Sequence, residues 1–489
     1  MRKLLAAAAM IALAVGCKAE PGSAGSSAGS SPGSSPGSAT GSAGSAGAAA
    51  PDPWAATSAP RPPETPETRK ARAEAAVGRV VSIEPEVARL RDLTFEHEVP
   101  AHFQPTDEFQ AYVRREIAKD LPANRSRDIS AALAHIGLFE KPVDLATIEE
   151  QALVTQAGAY YDPDSKQFFL VAVPDSELFL DTISAHELTH ALQDQHFDLH
   201  KYMPPTGKLD EDASSARRFV VEGDATLVMM LYSVHKTIGD QVPASVIAGL
   251  RGQIEAFATQ GIAEAKDQLK SQAALFTGLG NDIQKSIDAM DDIPPSVLVP
   301  MLDAYMKGAL VALTAYQQGG WKAVDELYRD PPESTEQVLH PTTKLFPVRE
   351  HPHKVVLARS SDLELSSNVL GELQWRIYFA LWKVANPEAA AAGWGGDHYD
   401  VARRKDGRLI GRIATIWDDE AAATRFTDAY VTSVAARFPG ADTSHPEAGI
   451  ARAGGGKIFV RRTGTRVLIV DGADAASSLD ALARAAKFD

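Results

Sequence analysis

His186-Glu187-Leu188-Thr189-His190, embedded in Asp181-Thr182-Ile183-Ser184-Ala185 and Ala191-Leu192, decides how the rest of this chain is read. The segment predicts a helix beginning near Asp181 or Thr182, both good capping residue types. Residues four apart on a helix project from one face. His186 and His190 therefore offer two imidazoles to one Zn²⁺, with Glu187 beside them as a base toward metal-activated water. A helix with two surface histidines would carry the same five residues. The apolar packing residues around them and the hairpin pattern upstream favour the metal site.

Catalytic zinc takes three protein ligands and keeps a fourth position for water. Two residues compete for the third place. His196 reproduces the spacing of the metzincin pattern, but that pattern needs a glycine for a sharp turn where this chain has Gln193. If the helix continues, His196 is carried roughly 240° around the axis from His190. Glu222, in Val220-Val221-Glu222-Gly223-Asp224-Ala225, lies in an apolar helical stretch where a carboxylate is costly without a partner. Gly223 and Ala225 are small enough to let this helix approach the His186–His190 helix closely. Glu222 is the preferred ligand, for one zinc per chain.

Upstream, residues 157–173 hold two β-rich runs around Asp162-Pro163-Asp164-Ser165 and predict a β-hairpin. Helices are expected at 71–84, 107–120, 131–139 and 214–236, with one or two across 297–328. Residues 238–292 read as a mostly helical candidate insertion, and whether they cover the site is left open. Beyond about His351 the pattern predicts a helix at 365–384, strands at 399–403 and 409–417, and a helix at 419–438. Strands at 457–461 and 466–470 and a helix at 475–487 complete a small α+β domain. Gly393-Trp394-Gly395-Gly396-Asp397 lacks both the lysine and the glycine spacing of a phosphate loop, so it reads as a structural turn. Trp394 and Trp417 are expected in a core. The fold class is α+β and mostly helical.

The 489 residues carry a net charge of −15, with 44% hydrophobic and 23% charged residues. No dense Lys/Arg block is present, which argues against nucleic acid as a partner. The one cysteine, Cys17, excludes an intramolecular disulfide. Arg2 and Lys3 precede an apolar run, Leu4 to Val15, too short to span a bilayer and suited to a signal peptide over residues 1–16. Its end, Leu13-Ala14-Val15-Gly16-Cys17, resembles the lipobox of bacterial lipoproteins, with Ala14 where leucine is commonest. That resemblance implies a lipid on Cys17, a membrane partner and a place in the cell envelope. Lys18 weakly favours the outer membrane. Residues 17–67 are mostly Gly, Ser, Ala and Pro, a flexible tether.

The His186–His190 motif followed by Glu222-Gly223-Asp224-Ala225 resembles the gluzincin metallopeptidases. With His186 to Phe197, Pro331-Pro332-Glu333-Ser334-Thr335-Glu336-Gln337-Val338-Leu339-His340-Pro341 and Gly393–Asp397, it resembles a group of largely uncharacterised bacterial and archaeal proteins over roughly residues 150–425. The resemblance implies a zincin-like peptidase domain at 68–350, with a small sheet whose edge strand aligns an extended substrate. An accessory domain at 351–489 follows. It also implies His186, His190 and Glu222 as ligands, Glu187 as general base, and a peptide or protein substrate. Some gluzincins orient a zinc histidine with an aspartate four residues after the glutamate. Here that position is Thr226, and Asp194 or Asp224 is left to serve. A donor for the oxyanion is expected far along the chain. His340 is the first choice, and Tyr160 and Tyr161 are weaker ones. A peptidase-like lipoprotein that binds an envelope partner without turnover is the alternative, and an amidase acting on peptidoglycan a third. Substrate specificity and oligomeric state stay open.

Overall fold

The computed structural model describes residues 65–489 except 155–157, 175, 206, 240–242, 259–289 and 454. The expected signal peptide, Cys17 and all but the end of the tether lie outside the described residues, as does most of the candidate insertion.

The chain is α+β, with helices dominating the described residues from 66 to 345. They run α1 (Pro66–Arg91), β1 (Ala101–Phe103), α2 (Thr106–Asp120), α3 (Ala123–Ile136), α4 (Leu145–Val154), β2 (Ala159–Asp162) and β3 (Gln167–Leu170). Next come α5 (Glu177–Phe197), α6 (Leu199–Tyr202), α7 (Glu211–Ile238), α8 (Ala244–Ala258), α9 (Pro295–Gly319), α10 (Trp321–Arg329) and α11 (Thr335–Leu339).

The motif helix α5 starts one turn before the expected place. Ser176 supplies the cap, its Oγ accepting from Phe179 N at 3.2 Å. Asp181 is instead inside the helix, held by Arg79 at 2.6 and 2.7 Å and by Tyr232 Oη at 3.1 Å. Leu180 to Asp194 are all buried, so α5 is a central helix covered on every side. One flank meets α1 through Val80, Ile83 and Val87, which pack with Leu180, Ile183 and Leu188. Another meets the hairpin β2–β3. That hairpin is as expected, and the short β1 adds to it in parallel, giving the order β1-β3-β2 with β2 at an edge.

α7 and α9 cross with their backbones in contact. A Cβ on Gly308 would sit 2.9 Å from Gly223 Cα and 3.0 Å from Gly223 N, and closer still to Phe219 O. Gly223 is therefore small for the sake of α9, and not of α5 as its sequence context suggested. α9 is long and apolar enough to cross a membrane by length and composition, and 61% of that stretch is buried here. The described part of the candidate insertion, α8, packs Leu250 and Ile254 against Leu227 and Leu313.

The C-terminal part runs β4 (Val355–Leu357), β5 (Leu363–Asn368), α12 (Gly371–Leu381), α13 (Pro387–Ala391), β6 (Trp394–Arg403), β7 (Leu409–Trp417) and α14 (Glu420–Arg437). β8 (Ile450–Ala451), β9 (Lys457–Thr463), β10 (Arg466–Ala473), α15 (Ser477–Ala485) and β11 (Ala486–Phe488) end the chain. Six antiparallel strands form a sheet ordered β5-β6-β7-β10-β9-β8. Trp375, Tyr378, Trp394, Trp417, Phe426 and Tyr430 fill one core cluster, which also takes in Ala132, Ile136 and Leu138 from the N-terminal part. Val355, Ile416, Phe459 and Leu479 fill another.

Two expectations are corrected here. The helix expected at 365–384 begins as strand β5, and Gly371 separates strand from helix. Its φ is +74°, and a Cβ there would strike the Asp212 carboxylate. The Gly393–Asp397 segment is the start of β6 and not a free turn. Its Asp397 accepts from Leu370 N, Gly371 N, Trp375 Nε1 and Trp394 Nε1, so it holds the start of α12.

Candidate metal centre

His186 and His190 project from α5 toward Glu222 on α7. The three side chains are almost wholly buried, and one ligand atom from each lies within 4.8 Å of the others. His186 Nε2 is 3.1 Å from His190 Nε2 and 3.2 Å from Glu222 Oε2, and His190 Nε2 is 3.6 Å from the same oxygen. Donor atoms about 2.0–2.1 Å from a tetrahedral zinc stand about 3.3 Å from each other. The three separations bracket that value. The cluster could hold a metal ion.

Hydrogen bonding around the cluster prepares His190 as a ligand. Gln193 Nε2 donates to Val221 O at 3.0 Å and to Asp224 Oδ2 at 3.1 Å. Both partners act as acceptors, which fixes the amide so that Oε1 faces His190 Nδ1 at 2.8 Å. Nδ1 must then carry the ring proton, leaving the Nε2 lone pair for a metal. Asp224 is itself held by Arg91 Nε at 2.8 Å and Tyr328 Oη at 2.8 Å, and Arg91 reaches on to Asp325 at 2.7 Å. Thus neither Asp194 nor Asp224 touches a cluster histidine. Gln193 takes that place and Asp224 supports it. Asp194 accepts from Tyr161 Oη, Lys166 Nζ and Leu199 N.

Burial opposes charge on Glu222, but His186 and His190 outweigh it and bring its carboxyl down to about 2. Glu187 is the reverse case. Burial and the nearby Glu222 charge raise it well above the ordinary carboxyl range, opposed by a 3.0 Å bond from Tyr161 N. That N–H belongs to the free edge of β2, so the edge strand abuts the motif helix beside Glu187. Glu187 Oε1 is buried and accepts no hydrogen bond among the described residues. Burial lowers His186, and its bond to Glu222 opposes that.

The remaining site expectations separate. His196 is in the last turn of an unbroken α5, bonded to Thr94 O at 2.7 Å, and is not part of the cluster. His340 meets Glu372 Oε1 at 3.0 Å and Arg376 Nη2 at 2.9 Å, an ion-pair group of its own. Tyr160 bonds Gln104 and stacks on Phe169, and Tyr161 bonds Asp194, so both serve the hairpin. Sequence reasoning missed Tyr305 of α9. Its ring lies 5.7 Å from that of His186, and Glu222 acts on its hydroxyl. Burial and the charges of Glu222 and Glu187 push its proton affinity far up, so the hydroxyl keeps its proton. No motif spacing marks it. It is one of two tyrosines in an apolar helix, with Tyr316, and nothing in the sequence sets it apart.

A family model described as a domain of unknown function, DUF8575, matches residues 359–483, within the C-terminal part and clear of the cluster. No curated protein and no solved structure matches the chain.

Proposed function

We propose that this protein is a zinc-dependent peptidase of the gluzincin kind, with His186, His190 and Glu222 as ligands of one zinc and Glu187 as the base. The observation that carries this is the spacing of three buried donor atoms at 3.1, 3.2 and 3.6 Å, with an unengaged Glu187 oxygen beside them. Zinc is favoured over magnesium or calcium because two imidazole nitrogens and one carboxylate suit zinc, whereas those hard cations prefer oxygen donors.

A bound zinc would supply a Lewis acid that makes water nucleophilic near neutral pH. Glu187 Oε1, which has no other partner among the described residues, would accept a proton from water activated there, while Tyr161 N–H holds Oε2 and fixes the carboxylate plane. Glu187 then delivers the proton to the departing amine. Tyr305 Oη donates to the oxygen that gains charge as the peptide carbon becomes tetrahedral, a role its high proton affinity suits. This assigns to Tyr305 the part that the sequence suggested for His340. β2 is buried along its length and its Tyr161 N–H is engaged by Glu187, so this edge supports the base and not an extended substrate strand. Attachment to the cell envelope through a lipid on Cys17 is part of the proposal and rests on the sequence alone.

The test is casein or peptide hydrolysis by the zinc-loaded chain beside Glu187→Gln. Hydrolysis by the parent and a loss of at least a hundredfold in the variant, with zinc retained, supports the reading. Equal activity in the two would remove Glu187 from the mechanism.

A further inference from the structure

Arg218 stands one turn before Glu222 on α7. Residues four apart share a helix face, so its side chain leaves α7 on the side that carries the metal ligand. The residue is half-buried. Its neighbour Arg217 is engaged by Tyr202 O at 2.8 Å and by the Tyr202 ring. Buried Arg91 and Arg437 each hold carboxylates. No hydrogen bond or ion pair engages Arg218 among the described residues. Its charge nonetheless acts on the Tyr305 hydroxyl at the metal centre and on Glu149 of α4.

Glu149 neutralises it only in part. The two act on each other without forming an ion pair, and the buried Glu149 Oε2 accepts no hydrogen bond. Burial pushes the Glu149 carboxyl up to about 7, with Glu211 and Asp120 adding to the rise, so it remains partly protonated at neutral pH. A guanidinium that has given up part of its hydration and found no fixed carboxylate is suited to one that arrives with a ligand. Its planar fork matches carboxylate geometry.

We propose that Arg218 is the docking point for a carboxylate of the substrate, one helical turn from Glu222. Four helical residues span about 6 Å along the axis. An extended chain covers that distance in about two residues. The Arg218 side chain adds its own length and leans toward the helix N-terminus, so the carboxylate belongs roughly two to four residues from the cleaved bond. It is either the α-carboxylate of a peptide end or an acidic side chain. This location of the bond rests on the peptidase reading, whereas carboxylate docking itself can be measured without turnover.

The experiment uses four fluorescent peptides of one sequence. They end in a free carboxylate or an amide, and they carry Glu or Gln two residues before the end. Binding to the full-length zinc-loaded Glu187→Gln protein is read by anisotropy, and cleavage by the parent is followed in parallel. One of the two carboxylates is expected to strengthen binding about 10–100-fold. Which one does so identifies the source. Arg218→Gln in the same background should erase that preference, and Arg218→Lys, which keeps the charge without the fork, should retain part of it. Zinc content and circular dichroism check that each variant is folded. The Lys variant carries the test if the Gln variant is not.

Docking is overturned if neither carboxylate strengthens binding, or if the preference survives in folded Arg218→Gln. A preference that requires Arg218, with no peptide cleaved by the parent, sustains docking and overturns the peptidase reading. Cleavage without any carboxylate preference does the opposite.

Discussion

Gly308→Ala should separate catalysis from metal binding. The added Cβ would lie 2.9 Å from Gly223 Cα, where carbon atoms prefer about 3.5–4.0 Å. Phe219 O is closer still, and both obstacles are backbone, so α9 must withdraw from α7 by about 1 Å. Overpacking of this kind costs about 1–3 kcal/mol. Tyr305 is three residues before Gly308 on the same helix face and moves with it. The zinc ligands come from α5 and α7 and do not. A misplacement of about 1 Å at a reacting group can cost about a hundredfold in rate. The variant should keep one zinc per chain, lose about 1–3 kcal/mol in urea unfolding at unchanged m, and lose about a hundredfold in kcat/KM. Tyr305→Phe should reproduce the rate loss with little change in stability. Parent-like kcat/KM in Gly308→Ala, with zinc bound, would refute the placement of Tyr305 at the reacting carbonyl.

Gln193→Ala removes the acceptor of the His190 Nδ1 proton and should weaken zinc binding about 10–100-fold in a chelator competition. Arg91→Met leaves Asp224 buried opposite an apolar side chain and should destabilise the fold by about 3–5 kcal/mol in urea, far more than loss of an exposed pair. Glu336, buried and pushed up to about 8 despite Lys344, binds its proton more tightly folded than unfolded. Its contribution to stability is therefore present below about pH 4.5 and lost as pH rises toward 8. Glu336→Gln should flatten the urea midpoint between pH 5 and 8, and an unchanged slope would show that Glu336 is not the group responsible.

The metal cluster was legible because its elements are local. His186 and His190 share a face by helical spacing alone, and Glu222 stood out as a carboxylate among Val220, Val221 and Gly223. His196 was excluded by the same geometry, since α5 continues through Gln193. Gln193 itself was read only as the wrong residue for a turn. Its role depends on Val221 and Asp224, which only packing brings to it. Tyr305 was illegible for a related reason. It comes beside His186 because two glycines 85 positions apart let α7 and α9 touch, and a single sequence shows no pairing between them. In the C-terminal part, Leu365 to Leu370 carries too few residues to separate strand from helix periodicity. The break at Gly371 depends on Asp212 and Asp397, distant residues that crowd and hold that backbone. β1, with three residues, is too short to show any period.

The most direct test of the central claim is the zinc content of the full-length protein, measured by mass spectrometry beside Glu222→Ala and His196→Ala. The account predicts one zinc per chain in the parent and in His196→Ala, with strong loss in Glu222→Ala. A parent that binds no zinc when metal is supplied, or a Glu222→Ala variant that keeps it, would contradict it.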